Sequence, residues 1–384
     1  MIEKNFRRNK DNSSLKNLRI LFLLIRYYSS FITFILIKPL DSYGLYELIA
    51  FFSFCQSFQE LLAIADYGTK YKLVNGRYKN INLCTNYIIN FFILIFVILF
   101  SPSSYQPAAT IFYLILALSY PLNLNNFRNI QEGFIHKVIK NLTITVIIQT
   151  VIVSAIYLKI IQPSYFILCI YLLVQNLIPG LVNFKFKNFS FKLSKGSFKE
   201  GFYPSLLMIT SYIGISSIYL YDIPSKSLAL FAIAFRIVTS FNLTQIYNNT
   251  FTSDFRNNLK PRSFKAQISF IIISAFLNVI IIEILLNFYY EGFAELSNFY
   301  FLASCFIVIL LAAQNSFMNS ELIANNKIKK FFKIELIACL FATLYRYFLR
   351  ENAIDIMNSV LVFYLLSFLL YYYSNKSKFL GKLI

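Results

Sequence analysis

Apolar runs of 18 to 22 residues recur along the chain, each closed by a short polar or basic connection. They fall at roughly 18–39, 44–66, 82–101, 107–126, 142–160, 164–184, 203–221, 228–249, 267–289, 299–321, 331–349 and 355–374. A helix of about 20 apolar residues crosses a hydrocarbon core of about 30 Å. The pattern therefore predicts an all-α membrane protein with about twelve transmembrane helices. A soluble helical bundle would need helices with a charged outer face, and these runs have none. Composition agrees: 58% of the residues are hydrophobic and 14% are charged, against about 25% charged in soluble domains.

The connections alternate in charge. One side collects the N-terminus, the 66–81, 127–141, 185–202, 250–266 and 322–333 segments and the C-terminus, with 29 of the 36 Lys and Arg residues. The other side holds only Lys38, Lys159, Lys226 and Arg350. The positive-inside rule then places both termini in the cytoplasm. It also accounts for the net charge of +19: the excess faces anionic lipid head groups, and no nucleic-acid partner is implied. The first twenty residues are basic and polar and the run after them is too long for a signal h-region, so no cleavable signal peptide is expected.

The longest cytoplasmic connection divides the chain. The expected organisation is an N-terminal arm (1–17), a six-helix bundle (18–184), a linker (185–202), a second six-helix bundle (203–374) and a tail (375–384). The halves carry a weak repeat. Residues 127–144 align with 317–334 through Phe127/Phe317, Asn129/Asn319, Lys137/Lys327, Lys140/Lys330 and Ile144/Ile334, and both segments join the fourth and fifth spans of their halves. Such duplication is common in transporters.

Charges at bilayer depth cost about 2.5–3.5 kcal/mol even on insertion scales, so each needs a reason. Arg26 lies about nine residues inside the first span and Arg236 about eight residues inside the eighth, each about 12–14 Å deep at ~1.5 Å per residue. One stands in each half, near the midplane. Two readings are open for them: the lining of a water-filled cavity, where the planar guanidinium suits phosphate or carboxylate, or structural ion pairs with Glu60 or Glu283. Arg346 is nearer the outer end of its span, where pairing or snorkelling to the interface competes with substrate binding. Glu60 and Glu283 are candidates for binding a coupling ion, with interhelical bonding as the plainer role. Glu335, near the inner interface, is expected to be solvated, as is His136. Asp66 closes the second span ahead of Lys70, Lys72 and Arg77, and is either a gate residue pairing across the bundles or the local partner of Lys70.

Polar residues within spans, among them Gln56, Gln59, Gln149, Gln175, Asn176, Gln314, Asn315 and Asn319, bridge helices or face a cavity. Pro179 and Pro204 flank the linker and are positioned to bend their spans. The five cysteines lie in or beside apolar runs without a C-x-x-C pair and read as small core residues. No nucleophile elbow, Walker A loop or metal-spaced cluster occurs. No catalytic residue, cofactor or metal is expected, and no built-in ATPase.

Three local stretches resemble one family. PLDSYGLYEL (39–48) is like its short outer turn, LLAIADYGTKYKLVNG (61–76) like its D-x-G with a basic loop, and NIQEGFIHK (129–137) like its glutamine-glycine turn. With twelve spans in two halves, the chain resembles the Wzx-type oligosaccharide-lipid flippases of the multidrug/oligosaccharidyl-lipid/polysaccharide exporter superfamily. The resemblance implies two pseudo-symmetric bundles in the bacterial inner membrane that turn undecaprenyl-diphosphate-linked oligosaccharide from the cytoplasmic to the periplasmic leaflet by alternating access. It implies Arg26 and Arg236 as residues holding the diphosphate, with membrane lipids, a polysaccharide polymerase and a chain-length regulator as partners. The chain departs from the family in being short and in carrying Ser53, not arginine, where the repeat places the counterpart of Arg236. The alternatives are an ion-coupled drug or metabolite antiporter of the same superfamily, for which central acids are expected, and a polysaccharide polymerase or ligase, for which a large periplasmic loop is expected.

Overall fold

The computed structural model describes residues 2–56, 81–101, 103–131, 134–181, 184, 189–191, 223–240, 264–289, 298–324, 328–349 and 353–374. Within them the chain is helical apart from turns and one two-residue strand pair.

Helix α1 (Ile2–Ser42) contains the first predicted span and continues three residues past it. It stops at Gly44, whose φ of +67° is the left-handed value that favours glycine. Two backbone bonds close the turn, from Gly44 N–H to the Asp41 carbonyl (2.8 Å) and from Leu45 N–H to the Leu40 carbonyl (2.8 Å). This is the geometry by which helices end on a left-handed residue. Helix α2 follows over 46–56. Strand β1 (Ile81–Asn82) pairs in parallel with β2 (Phe189–Ser190), so the start of the third span is tied to the linker. Helix α3 (Cys84–Phe100) matches the third predicted span closely.

The fourth predicted span is not one straight helix. It forms α4 (Gln106–Leu118) and α5 (Tyr120–Gln131), bent by 52°. The cause is local. Ser119 turns its hydroxyl back to the Ile115 carbonyl (2.6 Å) and the Leu116 carbonyl (3.2 Å), and Pro121 cannot supply the N–H that a continuous helix needs. The Tyr87 hydroxyl takes up the Leu118 carbonyl at 3.1 Å.

Helix α6 (Ile135–Tyr157) begins seven residues before the fifth predicted span. Helix α7 (Tyr165–Leu177) starts at the N-cap Ser164, whose side chain accepts from Ile167 N–H, and gives way at Pro179 to a 3₁₀ turn (Ile178–Leu181). The later helices are α8 (Ser225–Ser240), α9 (Phe264–Ile284, ending in a π-turn over Leu285–Tyr289), α10 (Phe299–Ala324), α11 (Ile328–Phe348) and α12 (Ala353–Ser374). Among the described residues, four helices are long and apolar enough to cross a membrane, or five if the bent pair is one span.

The most extensive packing joins α1 with α6, α3 with α4, and α4 and α6 with α7 in the first half, and α9 with α10 and α8, α10 and α11 with α12 in the second. The 3₁₀ turn seats on α5 and α6, with Asn125 and Asn141 donating to the Gly180 and Ile178 carbonyls at 2.9 and 3.0 Å. One large apolar core runs through helices of both halves, including Phe34, Phe54, Phe112, Phe231, Phe301 and Phe363. Four cysteines are free and buried in it, as expected, and Cys84 is half-buried. Glu335 is buried, contrary to the expectation of a solvated acid, because it faces inward on α11 beside Ala338 and Cys339. His136 is exposed, as expected.

Candidate functional site

Past Arg19, the polar features of the middle of α1 are Arg26, Ser29, Ser30 and Thr33, set in an otherwise apolar and aromatic run. Their spacing of three, four and seven residues puts them on one side of the helix. Ser29 and Thr33 face inward and are almost fully buried. Buried hydroxyls must be hydrogen-bonded, and both find partners on other helices. The Ser29 hydroxyl donates to Oε1 of Gln149 on α6 at 2.9 Å. The Thr33 hydroxyl lies 2.8 Å from that of Tyr171 on α7 and also bonds the Ser29 carbonyl at 3.2 Å. A continuous polar line thus runs from Gln149 through Ser29 and Thr33 to Tyr171 inside an apolar core. Interhelical bonds of this kind average about 0.6 kcal/mol in membranes, so the line fixes the relative rotation of α1, α6 and α7 more than it stabilises them.

Arg236 meets the far end of that line. It comes from α8, in the other half of the chain, yet its guanidinium lies 5.0 Å from the centre of the Phe52 ring on α2. It also interacts electrostatically with the Tyr171 hydroxyl. Phe52 and Tyr171 are themselves in ring contact at 5.8 Å. A half-buried cation is thereby set against an aromatic face that itself packs on the Tyr171 ring. A cation over a ring contributes about 0.5–1 kcal/mol where exposed and about 2 where desolvated. Phe52, Ser29, Thr33 and Tyr171 were not singled out from the sequence. The signal available was the Y-S-S-F-I-T run, whose hydroxyls recur at helical spacing.

The other predicted residues lie as follows. Arg26 is exposed, two turns before Thr33 on the same side of α1, with its carbonyl accepting from Ser30 at 3.2 Å. Arg346 does not snorkel. It is fully buried between α11 and α12, and its Nε donates to the Ser359 hydroxyl at 3.0 Å, which in turn bonds the Ile356 carbonyl at 2.6 Å. Glu283 is exposed on α9, one residue before the last α-helical position. Glu60 and Asp66 lie outside the described residues. The polar residues divide: Gln149 bridges α1 and α6, and Asn315 bridges α10 to the Tyr364 carbonyl of α12 at 3.5 Å, whereas Asn176 bonds the Leu172 carbonyl of its own helix at 2.7 Å. Among the described residues, no group of three or more His, Cys, Asp or Glu is placed to hold a metal.

No protein-family profile matches the sequence, and no curated protein matches it. Solved structures do match in shape. A MATE transporter in complex with Br-NRF aligns with a TM-score of 0.52 at 10% identity over 96% of both chains. The eukaryotic MATE transporter AtDTX14 aligns at 0.55 and 11% identity over 94% of both. An outward-facing multidrug resistance MATE transporter of the MOP superfamily aligns at 0.54 and 10% identity over 96% of both. At such identity the likeness concerns the backbone alone, and it extends over nearly the whole chain: this protein has the fold of the MATE transporters.

Proposed function

We propose that the chain is a flippase for undecaprenyl-diphosphate-linked oligosaccharide, the repeat unit of O-antigen, capsule or a related surface polysaccharide. In this reading two six-helix bundles with cytoplasmic termini rock about a site near the midplane of the bacterial inner membrane. The observation that carries it is Arg236. An arginine reaches from the second half to Phe52 and Tyr171 of the first. A cation at the seam of two moving bodies suits a cargo with an anionic head, and its planar fork suits a diphosphate. Arg26, on the same side of α1 as the Ser29–Thr33 line, is the second cation of that path. Arg346, bound to Ser359, is assigned to packing. Glu60 and Glu283 are the candidates for ion coupling and Asp66 for the inner gate. The polymerase and chain-length regulator that consume the delivered unit are its expected partners.

A second reading has its own support: one of the similar structures is a multidrug transporter. An antiporter of cationic drugs would use an acid where Arg236 stands. The two readings part in a strain lacking the gene. The flippase reading expects lipid-linked oligosaccharide to collect in the cytoplasmic leaflet, with rescue by the wild-type chain and not by Arg236→Ala. Restored drug efflux without restored oligosaccharide delivery would establish the antiporter instead.

A further inference from the structure

Of the four cations expected on the side away from the basic loops, Lys38 and Lys159 stand at the ends of their spans and flank one seam. Between α1 and α6 lies a groove of about 520 Å³ lined by Phe31, Ile35, Val153, Ser154, Tyr157 and Leu158. It opens outward: Phe31, Tyr157 and Leu158 are 44%, 61% and 67% exposed. Phe31 and Ile35 point away from Thr33 by the helical repeat, so the groove faces lipid and not the polar line. Lys38 is seven residues past Phe31 and three past Ile35, which places it above the groove on the same stripe of α1. On the other wall, α6 ends at Tyr157. Lys159 then adopts φ 60°, a conformation disfavoured for a residue with a side chain. It is held there by bonds from Lys159 N–H to the Ile156 carbonyl (3.0 Å) and from Ile160 N–H to the Ala155 carbonyl (2.9 Å). The turn sends its ammonium across the seam to within 5.7 Å of the Tyr43 ring at the end of α1.

We propose that this seam binds an anionic phospholipid, with one hydrocarbon chain in the groove and the phosphate between Lys38, Lys159 and the Tyr43 hydroxyl. Any lipid-facing groove fills with hydrocarbon. Two ammonium groups and a phenol at head-group depth add a preference for negative charge, and they sit where cations are otherwise scarce. The site is independent of the cargo that the transporter carries.

The test is native mass spectrometry of the purified full-length protein in detergent, titrated separately with phosphatidylglycerol and phosphatidylcholine. The wild type should retain phosphatidylglycerol more tightly. Each lysine near a charged lipid surface changes affinity about five-fold, so Lys38→Gln with Lys159→Gln should weaken phosphatidylglycerol by about 25-fold and leave phosphatidylcholine unchanged. Ser154→Trp, which fills the groove, should weaken both. Equal retention of the two lipids by the wild type would overturn the proposal without recourse to any variant. It would leave the lysines as companions of the helix C-termini alone. An unchanged titration in the double variant would overturn it as well.

Discussion

Gly180 sits in the 3₁₀ turn that seats against the start of α5. A methyl group added there would lie 2.2 Å from the Leu122 carbonyl oxygen, 2.4 Å from its carbon and 2.7 Å from its Cβ. Two of these are backbone atoms of a helix, so no side chain can swing aside. Restoring ordinary contact at 3.4 Å requires a shift of about 1.2 Å, the difference from 2.2 Å. A shift of that size also pulls Asn125 away from the Gly180 carbonyl, now 2.9 Å from its donor. Overpacking costs about 1–3 kcal/mol and a lost hydrogen bond about 0.5–1.5, so Gly180→Ala should cost roughly 2–4 kcal/mol. In a chain of 384 residues that lowers the melting midpoint by about 2–5 °C. The assay is the fraction of detergent-solubilised protein that still elutes as a single species after graded heating. Gly44→Ala is the control: its φ is +67° but nothing lies within 4 Å of the added atom, so only a conformational penalty of about 1–2 kcal/mol applies. A Gly180→Ala midpoint equal to wild type, or a larger loss in Gly44→Ala, would refute the packing argument.

The remaining predictions concern the arginines, the polar line and the topology. Arg346→Ala strips Ser359 of its donor and leaves a void between α11 and α12, so it should lower thermal stability by about 2–4 kcal/mol, whereas Arg26→Ala, which removes an exposed side chain, should leave the melting midpoint unchanged while reducing transport. Tyr171→Phe removes the hydroxyl that joins Thr33 to the surroundings of Arg236; surface polysaccharide output should fall severalfold with little change in protein abundance, and unchanged output would remove Tyr171 from the path. Arg236→Lys should retain partial transport if charge alone serves and lose it if the bidentate fork is needed. A cysteine at Ser103 should label from outside the cell and one at Lys192 only after permeabilisation; the reverse would overturn the expected orientation.

Run length was the most legible signal in the sequence. The spans expected at 299–321, 331–349 and 355–374 are α10, α11 and α12 to within a few residues, because an apolar stretch that long has one low-energy form in lipid. Run length says nothing about direction. It joined α4 and α5 into one span, although the S-Y-P sequence at 119–121 held both causes of the bend, a back-bonding serine and a proline. It also missed that Glu335 and Arg346 point inward, since burial on a membrane helix depends on which neighbours pack there and not on distance from the bilayer surface. The arginine inside the eighth apolar run was legible from its cost. Its setting was not, because Phe52, Tyr171 and Arg236 are brought together by tertiary packing across more than 180 residues. Hydroxyls such as Thr33 and Tyr171 look like ordinary apolar-run residues until their partners are known.

The bend at Ser119 has a consequence for the bilayer. Helix α4 has 13 residues and α7 has 13, so each offers about 20 Å of straight rise, and the two pack side by side. The hydrocarbon they meet is about 30 Å thick. Both give up straight helical geometry on the same flank, α4 by turning into the asparagine-rich α5 and α7 by tightening into its 3₁₀ turn. The rest of that distance is crossed by bent or tightened backbone, so on this flank the lipid meets a crooked apolar surface in place of two straight helices.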